Sequence, residues 1–145
     1  MSEDSVFKEN LFKGKKVFIT GGATGMGLGF AQAFLNHGAD VFIASRKEDK
    51  LKQAAEETEK KFGKQLIWKT MDVRNNETVE EAIEFLNSEW GELDILVNNA
   101  AGNFIAPIAS MSENAWRAVV DIVLDGTFRV SKASYPLLRK AKNGA

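Results

Sequence analysis

The feature that most constrains the fold of this chain is a glycine-rich stretch at residues 20–27, Thr-Gly-Gly-Ala-Thr-Gly-Met-Gly. A short apolar run before it predicts a strand, and the apolar spacing after it predicts a helix. This order leaves free backbone N–H groups at a helix N-terminus, where a phosphate can bind. Gly21 allows a sharp turn, Gly25 lets a pyrophosphate approach the backbone, and Gly27 lets the helix pack on the sheet. The spacing G-x-x-x-G-x-G differs from the general dinucleotide fingerprint, so a glycine turn without a ligand is the alternative.

Composition limits the kinds of partner and metal site that this chain is expected to have. The 145 residues suffice for one domain, and the 44% hydrophobic and 27% charged content is typical of a globular protein. A net charge of -1 gives no indication of a nucleic-acid or membrane partner. The absence of cysteine excludes thiolate metal sites, and the single His37 excludes a multi-histidine site, so we expect no metal. A cytoplasmic location is the default expectation, with mitochondrion and peroxisome left open.

Strand and helix patterns alternate along the chain. Strands are predicted at residues 16–20, 40–44, 66–71 and 93–97, and helices at residues 25–36, 47–61, from Asn75 or Asn76 to Gly91, and 112–138. This alternation predicts an α/β fold, a Rossmann-type doubly wound parallel sheet with about four strands and flanking helices. It would be the N-terminal portion only, because no fifth strand follows the last helix.

Two sets of apolar residues lie outside the strands. In the lead-in, four side chains are expected to pack under the sheet edge: Val6, Phe7, Leu11 and Phe12. In the last helix, five residues recur at helical spacing and predict a core or subunit contact: Trp116, Val120, Val123, Thr127 and Val130.

Three motifs together resemble one family. They are Thr-Gly-x-x-x-Gly-x-Gly at residues 20–27, Asp72-Val73 after the third strand, and Asn-Asn-Ala-Ala-Gly at residues 98–102. Their types and order are similar to those of short-chain dehydrogenases/reductases, and the resemblance covers about residues 14–145. The family resemblance implies that the following residues bind the cofactor: Gly21, Gly22, Ala23, Thr24, Gly25, Met26, Gly27, Ser45, Arg46, Asp72, Val73, Asn99, Ala100, Ala101 and Gly102.

Within the family, the extra alanine at residues 98–102 and the residues at 44–47 and 121–124 look most like the 2,4-dienoyl-CoA reductases. That branch implies an NADPH-dependent reductase of an unsaturated fatty acyl-CoA in β-oxidation, assembled as a homotetramer. The resemblance to this branch places Arg46 and Arg74 at the coenzyme A phosphates. It places Asn103 at the thioester carbonyl, where the asparagine would polarise that group. Phe104 would lie along the acyl chain or near the nicotinamide, and Ser112 would bond the coenzyme A portion. Alternatively, Arg74 is a solvated charge, Phe104 a loop anchor and Ser112 only a helix cap.

The residues after the second strand bear on the choice of cofactor. An NAD site places an acid at that strand end to hold the ribose 2′-hydroxyl. Here Ser45 and Arg46 occupy the position, and an arginine pairs well with a 2′-phosphate, which favours NADP(H). The alternative is a capping box between Ser45 and Glu48, with Arg46 solvated.

The chain departs from the family pattern in two places. Val123 stands where most members have a helix asparagine, a change shared by the dienoyl-CoA reductases. The resemblance implies that the catalytic serine or tyrosine and the lysine lie beyond residue 145. Tyr135 followed by Arg139 only superficially imitates the family's Tyr-x-x-x-Lys motif. We therefore expect Tyr135 to be structural, in a core or an interface. Residues 1–145 are therefore expected to form an NADP(H)-binding domain that lacks the catalytic half. The alternatives are a trans-2-enoyl-CoA or 3-oxoacyl thioester reductase, or a non-catalytic NADP(H)-binding fragment.

Overall fold

The computed structural model describes residues 7–103, 105–142 and 144–145. Within them, four parallel strands form one sheet in the order β3-β2-β1-β4. The strands are β1 (Lys16–Thr20), β2 (Asp40–Ser45), β3 (Ile67–Thr70) and β4 (Ile95–Val97). The helices are α1 (Gly25–Asn36), α2 (Glu48–Phe62), α3 (Asn76–Glu89), α4 (Glu113–Val120) and α5 (Gly126–Leu138), with a 3-10 turn at Ile108–Ser110. The predicted α/β Rossmann-type fold is confirmed.

Alternate residues of the strands face opposite layers of helices. Val17 and Ile19 of β1 pack in a cluster with buried residues of α1 and α2. Phe18 and Phe42 point to the other side, into a cluster with buried residues of α3 and α5. The sheet is thus covered on both faces, as the largely apolar strands require.

Local signals fix most helix ends. The Asn75 side chain accepts a hydrogen bond from the backbone N–H of Glu77, which confirms Asn75 as the cap of α3. Gly63 ends α2 with a φ of 65°, a conformation in which glycine carries no steric cost. The predicted fourth strand was too long, because the Leu93 N–H bonds to the Leu137 carbonyl on α5 and not to a strand neighbour.

The predicted last helix is interrupted by a π-helical turn at Asp121–Asp125, between α4 and α5. Arg129 spans it, donating from one guanidinium nitrogen to the Asp121 carboxylate at 2.7 Å and to the Val73 carbonyl at 3.4 Å. A π turn shifts the faces of the helix on either side of it. The five residues predicted to share one face of this helix therefore do not form one buried stripe: Val130 is buried, whereas Trp116 is 58% exposed and Val123 is 44% exposed. The prediction that Trp116 and Val123 lie in the core is therefore wrong. The alternative, that they form a subunit contact, stays a prediction.

The lead-in packs differently from the prediction. Val6 lies outside the described residues, and Phe7 and Leu11 are exposed. The Phe7 ring meets His37, and the Phe12 ring meets Phe34 at 4.7 Å between centroids. Phe7 thus lies at the C-terminal end of α1, whereas Phe12 is half-buried and packs against the core cluster that includes residues of β1 and β2.

The end of the described chain meets the open edge of the sheet. The Ala145 N–H donates to the Asp94 carbonyl at 2.7 Å, and the Leu96 N–H donates to the Ala145 carbonyl at 2.8 Å. These two bonds follow the pattern of a parallel strand pair beside β4. Among the described residues the sheet has four strands, as predicted, with this one pair of bonds at its edge. Among the described helices, none is long and apolar enough to span a membrane.

Candidate functional site

A cavity of about 460 Å³ opens at the carboxyl ends of the strands, next to the point where the chain crosses from β3 back to β4 beside β1. Ligands of open α/β sheets bind at this kind of position, where the strand order reverses. The lining residues come from the glycine-rich loop, the ends of β2 and β3, the segment after β4 and the π turn: Gly21, Ala23, Thr24, Met26, Gly27, Ala44, Ser45, Arg46, Lys47, Lys50, Met71, Asp72, Val73, Asn99, Ala100, Ala101 and Ile122.

The glycine-rich loop is shaped by two close approaches. Gly21 has a φ of 67°, which turns the chain off β1. A Cβ on Gly27 would collide with the Gly21 carbonyl oxygen and would lie 2.5 Å from the Asn99 Nδ2 atom. Gly27 therefore lets α1 begin directly against the loop. The α1 N-terminus then faces the cavity with backbone donors that have no partner inside the helix.

A set of hydrogen bonds ties this loop to the segment after β4. The Thr20 hydroxyl oxygen accepts from the backbone N–H groups of Asn99 at 3.0 Å and Ala100 at 2.9 Å. The Asn99 side-chain amide donates to the carbonyls of Thr20 at 3.0 Å and Gly21 at 3.2 Å. Because Thr20 is only 1% exposed, water cannot replace these bonds cheaply. The two walls of the cavity are thus held at a fixed separation.

Asp72 and Arg74 form a bidentate pair at the end of β3. The Arg74 Nη2 atom donates to Asp72 Oδ2 at 2.6 Å, and its Nε donates to Oδ1 at 3.0 Å. This side-chain hydrogen bonding from Arg74 is the main reason that the pKa of Asp72 lies below its ordinary value, and partial burial opposes it. Asp72 also accepts from the Arg74 backbone N–H at 3.0 Å, so it caps the loop as well as lining the cavity.

Three cationic side chains line the side of the cavity next to α2: Arg46, Lys47 and Lys50. Among the described residues, none of the three forms an ion pair within 4.0 Å. The Ser45 hydroxyl accepts from the Lys47 N–H at 3.4 Å, and the helix cap is Lys47 without a side-chain bond. The alternative capping box between Ser45 and Glu48 is therefore not formed.

The cavity brings together most of the predicted cofactor residues, but Gly22, Gly25 and Gly102 do not line it. A Cβ on Gly22 would lie 2.6 Å from Ile43, and one on Gly102 would lie 2.6 Å from Ile122, so close packing explains both glycines. Gly25 has a φ of 56° and begins α1.

Of the predicted substrate residues that the structure describes, Arg46 lines the cavity, whereas Arg74, Asn103 and Ser112 do not. Arg74 is exposed and pairs with Asp72, so both its role at a coenzyme A phosphate and the alternative of a solvated charge stay predictions. Ser112 caps α4 by accepting from the Ala115 N–H at 3.2 Å, and Asn103 is exposed. Phe104 lies outside the described residues. Tyr135 is 58% exposed with the Arg139 guanidinium 5.8 Å from its ring, so it is not a core residue.

The sequence prediction missed five lining residues: Ala44, Lys47, Lys50, Met71 and Ile122. Lys47 and Lys50 carried a signal, since they add positive charge beside Arg46. Ile122 carried none, because the π turn that brings it against Gly102 depends on long-range contacts of Arg129.

Comparison with known proteins gives the family. The family model for short chain dehydrogenases matches residues 15–145. A peroxisomal 2,4-dienoyl-CoA reductase [(3E)-enoyl-CoA-producing] of Danio rerio is 39% identical over 140 residues, covering 97% of this chain and 47% of that protein. A probable 2,4-dienoyl-CoA reductase [(2E)-enoyl-CoA-producing] of Bacillus subtilis is 39% identical over 120 residues, covering 83% of this chain and 47% of that protein. The chain spans about half the length of these curated relatives.

Solved structures agree in fold. The citronellol catabolism dehydrogenase of Pseudomonas aeruginosa superposes with a TM-score of 0.87 at 31% identity, covering 97% of this chain and 57% of that one. An alcohol dehydrogenase of Thermococcus sibiricus complexed with 5-hydroxy-NADP superposes with a TM-score of 0.84 at 26% identity, covering 90% of this chain and 56% of that one. On its matched motifs, its sheet order and these relatives, the chain belongs to the short chain dehydrogenase family.

Proposed function

We propose that the chain binds NADP(H) in the cavity at the carboxyl ends of the strands, as part of a reductase of an unsaturated fatty acyl-CoA. The observation that carries the cofactor proposal is the positive side of the cavity at Arg46, where no acid stands at the end of β2. An acid there would bind a ribose 2′-hydroxyl and repel a 2′-phosphate. Arginine can instead form two parallel bonds to phosphate oxygens.

The residues present fit a dinucleotide along the whole cavity. The pyrophosphate would lie at the N-terminus of α1, where the close packing at Gly27 leaves the backbone donors accessible. Asp72 and Val73 would hold the adenine, with the Arg74 pair fixing the Asp72 carboxylate and reducing its repulsion of phosphate. Arg46 would bind the 2′-phosphate, with Ser45 adding a hydroxyl. When bound, the nicotinamide supplies hydride to the substrate.

The segment after β4 would position the nicotinamide half. Asn99 and Ala100 are fixed by the buried Thr20 hydroxyl, so this wall keeps its place without a ligand. Small side chains at Ala100 and Ala101 leave room for close approach of a ribose. Preorganisation of this kind reduces the ordering cost of binding and aligns the reacting atoms.

The proposed substrate is a 2,4-dienoyl-CoA. Its support is the set of relatives named 2,4-dienoyl-CoA reductases, together with Val123 at the position where a ketone reductase of this family has asparagine. In this proposal Asn103, on the exposed loop after β4, polarises the thioester carbonyl, and Ser112 meets the coenzyme A portion. Arg74, whose side chain is 40% exposed, would meet a coenzyme A phosphate while keeping its pair with Asp72.

The proposal is tested in two stages with the purified protein. Isothermal titration with NADPH and NADH measures cofactor binding, and we expect NADPH to bind at least tenfold more tightly, the effect of one charge-assisted pair. NADPH oxidation is then followed with a 2,4-dienoyl-CoA, a trans-2-enoyl-CoA and a 3-oxoacyl-CoA. We expect turnover of the dienoyl substrate alone, by a protein that contains this chain together with the catalytic serine or tyrosine and the lysine expected beyond residue 145. Chromatography of the product distinguishes a (3E)-enoyl from a (2E)-enoyl thioester, the two outcomes named for the relatives.

Each other result selects a different function. Turnover of the 3-oxoacyl or trans-2-enoyl substrate alone would make the protein a reductase of that thioester. Tight NADPH binding with no turnover would favour a non-catalytic NADP(H)-binding module. Equal binding of NADH would overturn the cofactor proposal. A homotetramer and a role in fatty acid β-oxidation complete the proposal, and sedimentation of the same sample tests the assembly. For the compartment we propose the cytoplasm or, as in the names of several relatives, the peroxisome, which cell fractionation distinguishes.

A further inference from the structure

Lys50 lines the same cavity as Arg46 although it belongs to the first turn of α2. Arg46 lies before that helix, in the link from β2. The two cations thus reach the cavity from different elements. The next residue, Leu51, is fully buried against the sheet, which fixes the rotation of α2 and with it the side on which Lys50 stands.

The charge at this end of the cavity is unbalanced. Among the described lining residues, Asp72 is the one carboxylate, and it is already paired with Arg74 at 2.6 Å. The acids of the first turn of α2, Glu48 and Asp49, do not line the cavity. An anion in the cavity would therefore meet uncompensated positive charge.

Lys50 is available for such an anion, in contrast to its neighbour Lys52. The Lys50 ammonium donates one weak hydrogen bond, to the Gln53 side chain at 3.3 Å. The Lys52 ammonium is 2.7 Å from Glu48 and lies outside the cavity lining. The pKa of Lys52 is raised, first by its hydrogen bond to Glu48. Of these two exposed lysines near the start of α2, Lys52 is engaged by Glu48 and Lys50 faces the cavity.

We propose that Lys50 is a second ligand of the ribose 2′-phosphate and so contributes to the choice of NADP(H) over NAD(H). This inference rests on the proposed function. A phosphate monoester carries between one and two negative charges at neutral pH, and Arg46 compensates only one of them. A lysine on a flexible stem can add its charge without the exact geometry that a guanidinium needs. Because its partner would be the 2′-phosphate alone, its contribution disappears when that group is absent.

The test compares two small ligands that differ only in the 2′-phosphate, adenosine 2′,5′-bisphosphate and 5′-AMP. Their dissociation constants are measured by isothermal titration for the wild type, Lys50→Met and the matched control Lys52→Met. We expect Lys50→Met to bind the bisphosphate about fivefold more weakly, the size of one partly solvated ion pair, and 5′-AMP unchanged. Lys52→Met should bind both ligands as the wild type does. Lys50→Arg should keep the preference for the bisphosphate over 5′-AMP. Lys50→Glu should weaken binding of the bisphosphate more than Lys50→Met does.

The outcomes separate this inference from the proposed function. A wild type that prefers the bisphosphate while Lys50→Met binds like the wild type overturns the role of Lys50 alone. So does an equal loss of both ligands, or a loss that appears in Lys47→Met in place of Lys50→Met. A wild type that binds the two ligands equally overturns the NADP(H) proposal itself. Thermal unfolding of each variant checks that these exposed substitutions leave the fold intact.

Discussion

Two glycines of α1 give opposite predictions for the same substitution. Gly27 and Gly29 are both helical, and in an open helix position Gly→Ala stabilises a protein by about 1 kcal/mol. A Cβ on Gly29 meets nothing within 4 Å, so Gly29→Ala should show that gain. A Cβ on Gly27 collides with the backbone of Gly21 and with Asn99, neither of which can move without disturbing the loop.

The magnitude for Gly27→Ala follows from these contacts. Overpacking against backbone costs about 1–3 kcal/mol. Displacing the Asn99 amide also weakens its bond to the Gly21 carbonyl, which adds about 1 kcal/mol. After subtracting the gain in helix propensity, Gly27→Ala should lower the free energy of unfolding by about 2 kcal/mol. The two variants should therefore differ by about 3 kcal/mol, or roughly 10 °C in Tm for a domain of this size.

Urea and thermal unfolding, followed by circular dichroism, measure this difference. NADPH titration of both variants adds a second readout, because only Gly27→Ala alters the loop that would hold the pyrophosphate. Equal stability of the two variants would refute the close approach of α1 to the loop. Unchanged cofactor affinity in Gly27→Ala would refute the argument that this approach shapes the site.

Two further substitutions test the bonds that hold β4 to β1. Thr20→Val leaves the N–H groups of Asn99 and Ala100 without their acceptor, so it should lower the free energy of unfolding, measured in urea, by about 1–3 kcal/mol. Thr20→Ser keeps the hydroxyl and should retain most of the stability. Equal losses in the two variants would contradict the role of the hydroxyl. Asp94 is buried, which alone would raise the pKa of its carboxyl, but bonds from the Lys15 ammonium at 2.6 Å and the Lys16 N–H at 3.0 Å outweigh this effect and lower the pKa. Its stabilisation is present above the ordinary carboxyl pKa of about 4 and is lost as the pH falls through the lower folded value. Asp94→Asn should therefore cost about 1 kcal/mol at pH 7, since Lys15 is partly solvated, and the gap from the wild type should close in unfolding curves below about pH 4; a gap independent of pH would show that the charge does not matter.

The candidate site was predictable where its parts are local in the chain. The strand, glycine turn and helix at residues 16–36 follow one another directly, so spacing and residue type suffice to place a phosphate site. Arg46 was predictable in the same way, as the first cation after a strand. The extra lysine at position 50 was visible in the sequence, but which of several lysines on α2 faces the cavity depends on how Leu51 packs under the sheet.

Arg74 shows the limit of reasoning from a motif. Its charge and its place after β3 were compatible both with binding a coenzyme A phosphate and with a solvated position. The structure adds a contact that neither interpretation included, because the loop folds back on itself and brings the exposed guanidinium against Asp72, two residues earlier. The π turn was likewise beyond prediction, since Arg129 stabilises it through the Val73 carbonyl on a distant loop.

The sequence by itself determined the order of strands and helices, the two faces of the sheet and the glycine loop, because these depend on residues that are neighbours along the chain. Tertiary structure alone decided the separation of the cavity walls, the pairing of Asp72 with Arg74 and the place of Ile122 in the π turn. In these cases the outcome rests on side-chain geometry or on the Thr20 hydroxyl, whose partners lie 79 and 80 residues away. Such contacts leave no periodic pattern in the sequence, and only the packed chain brings them together.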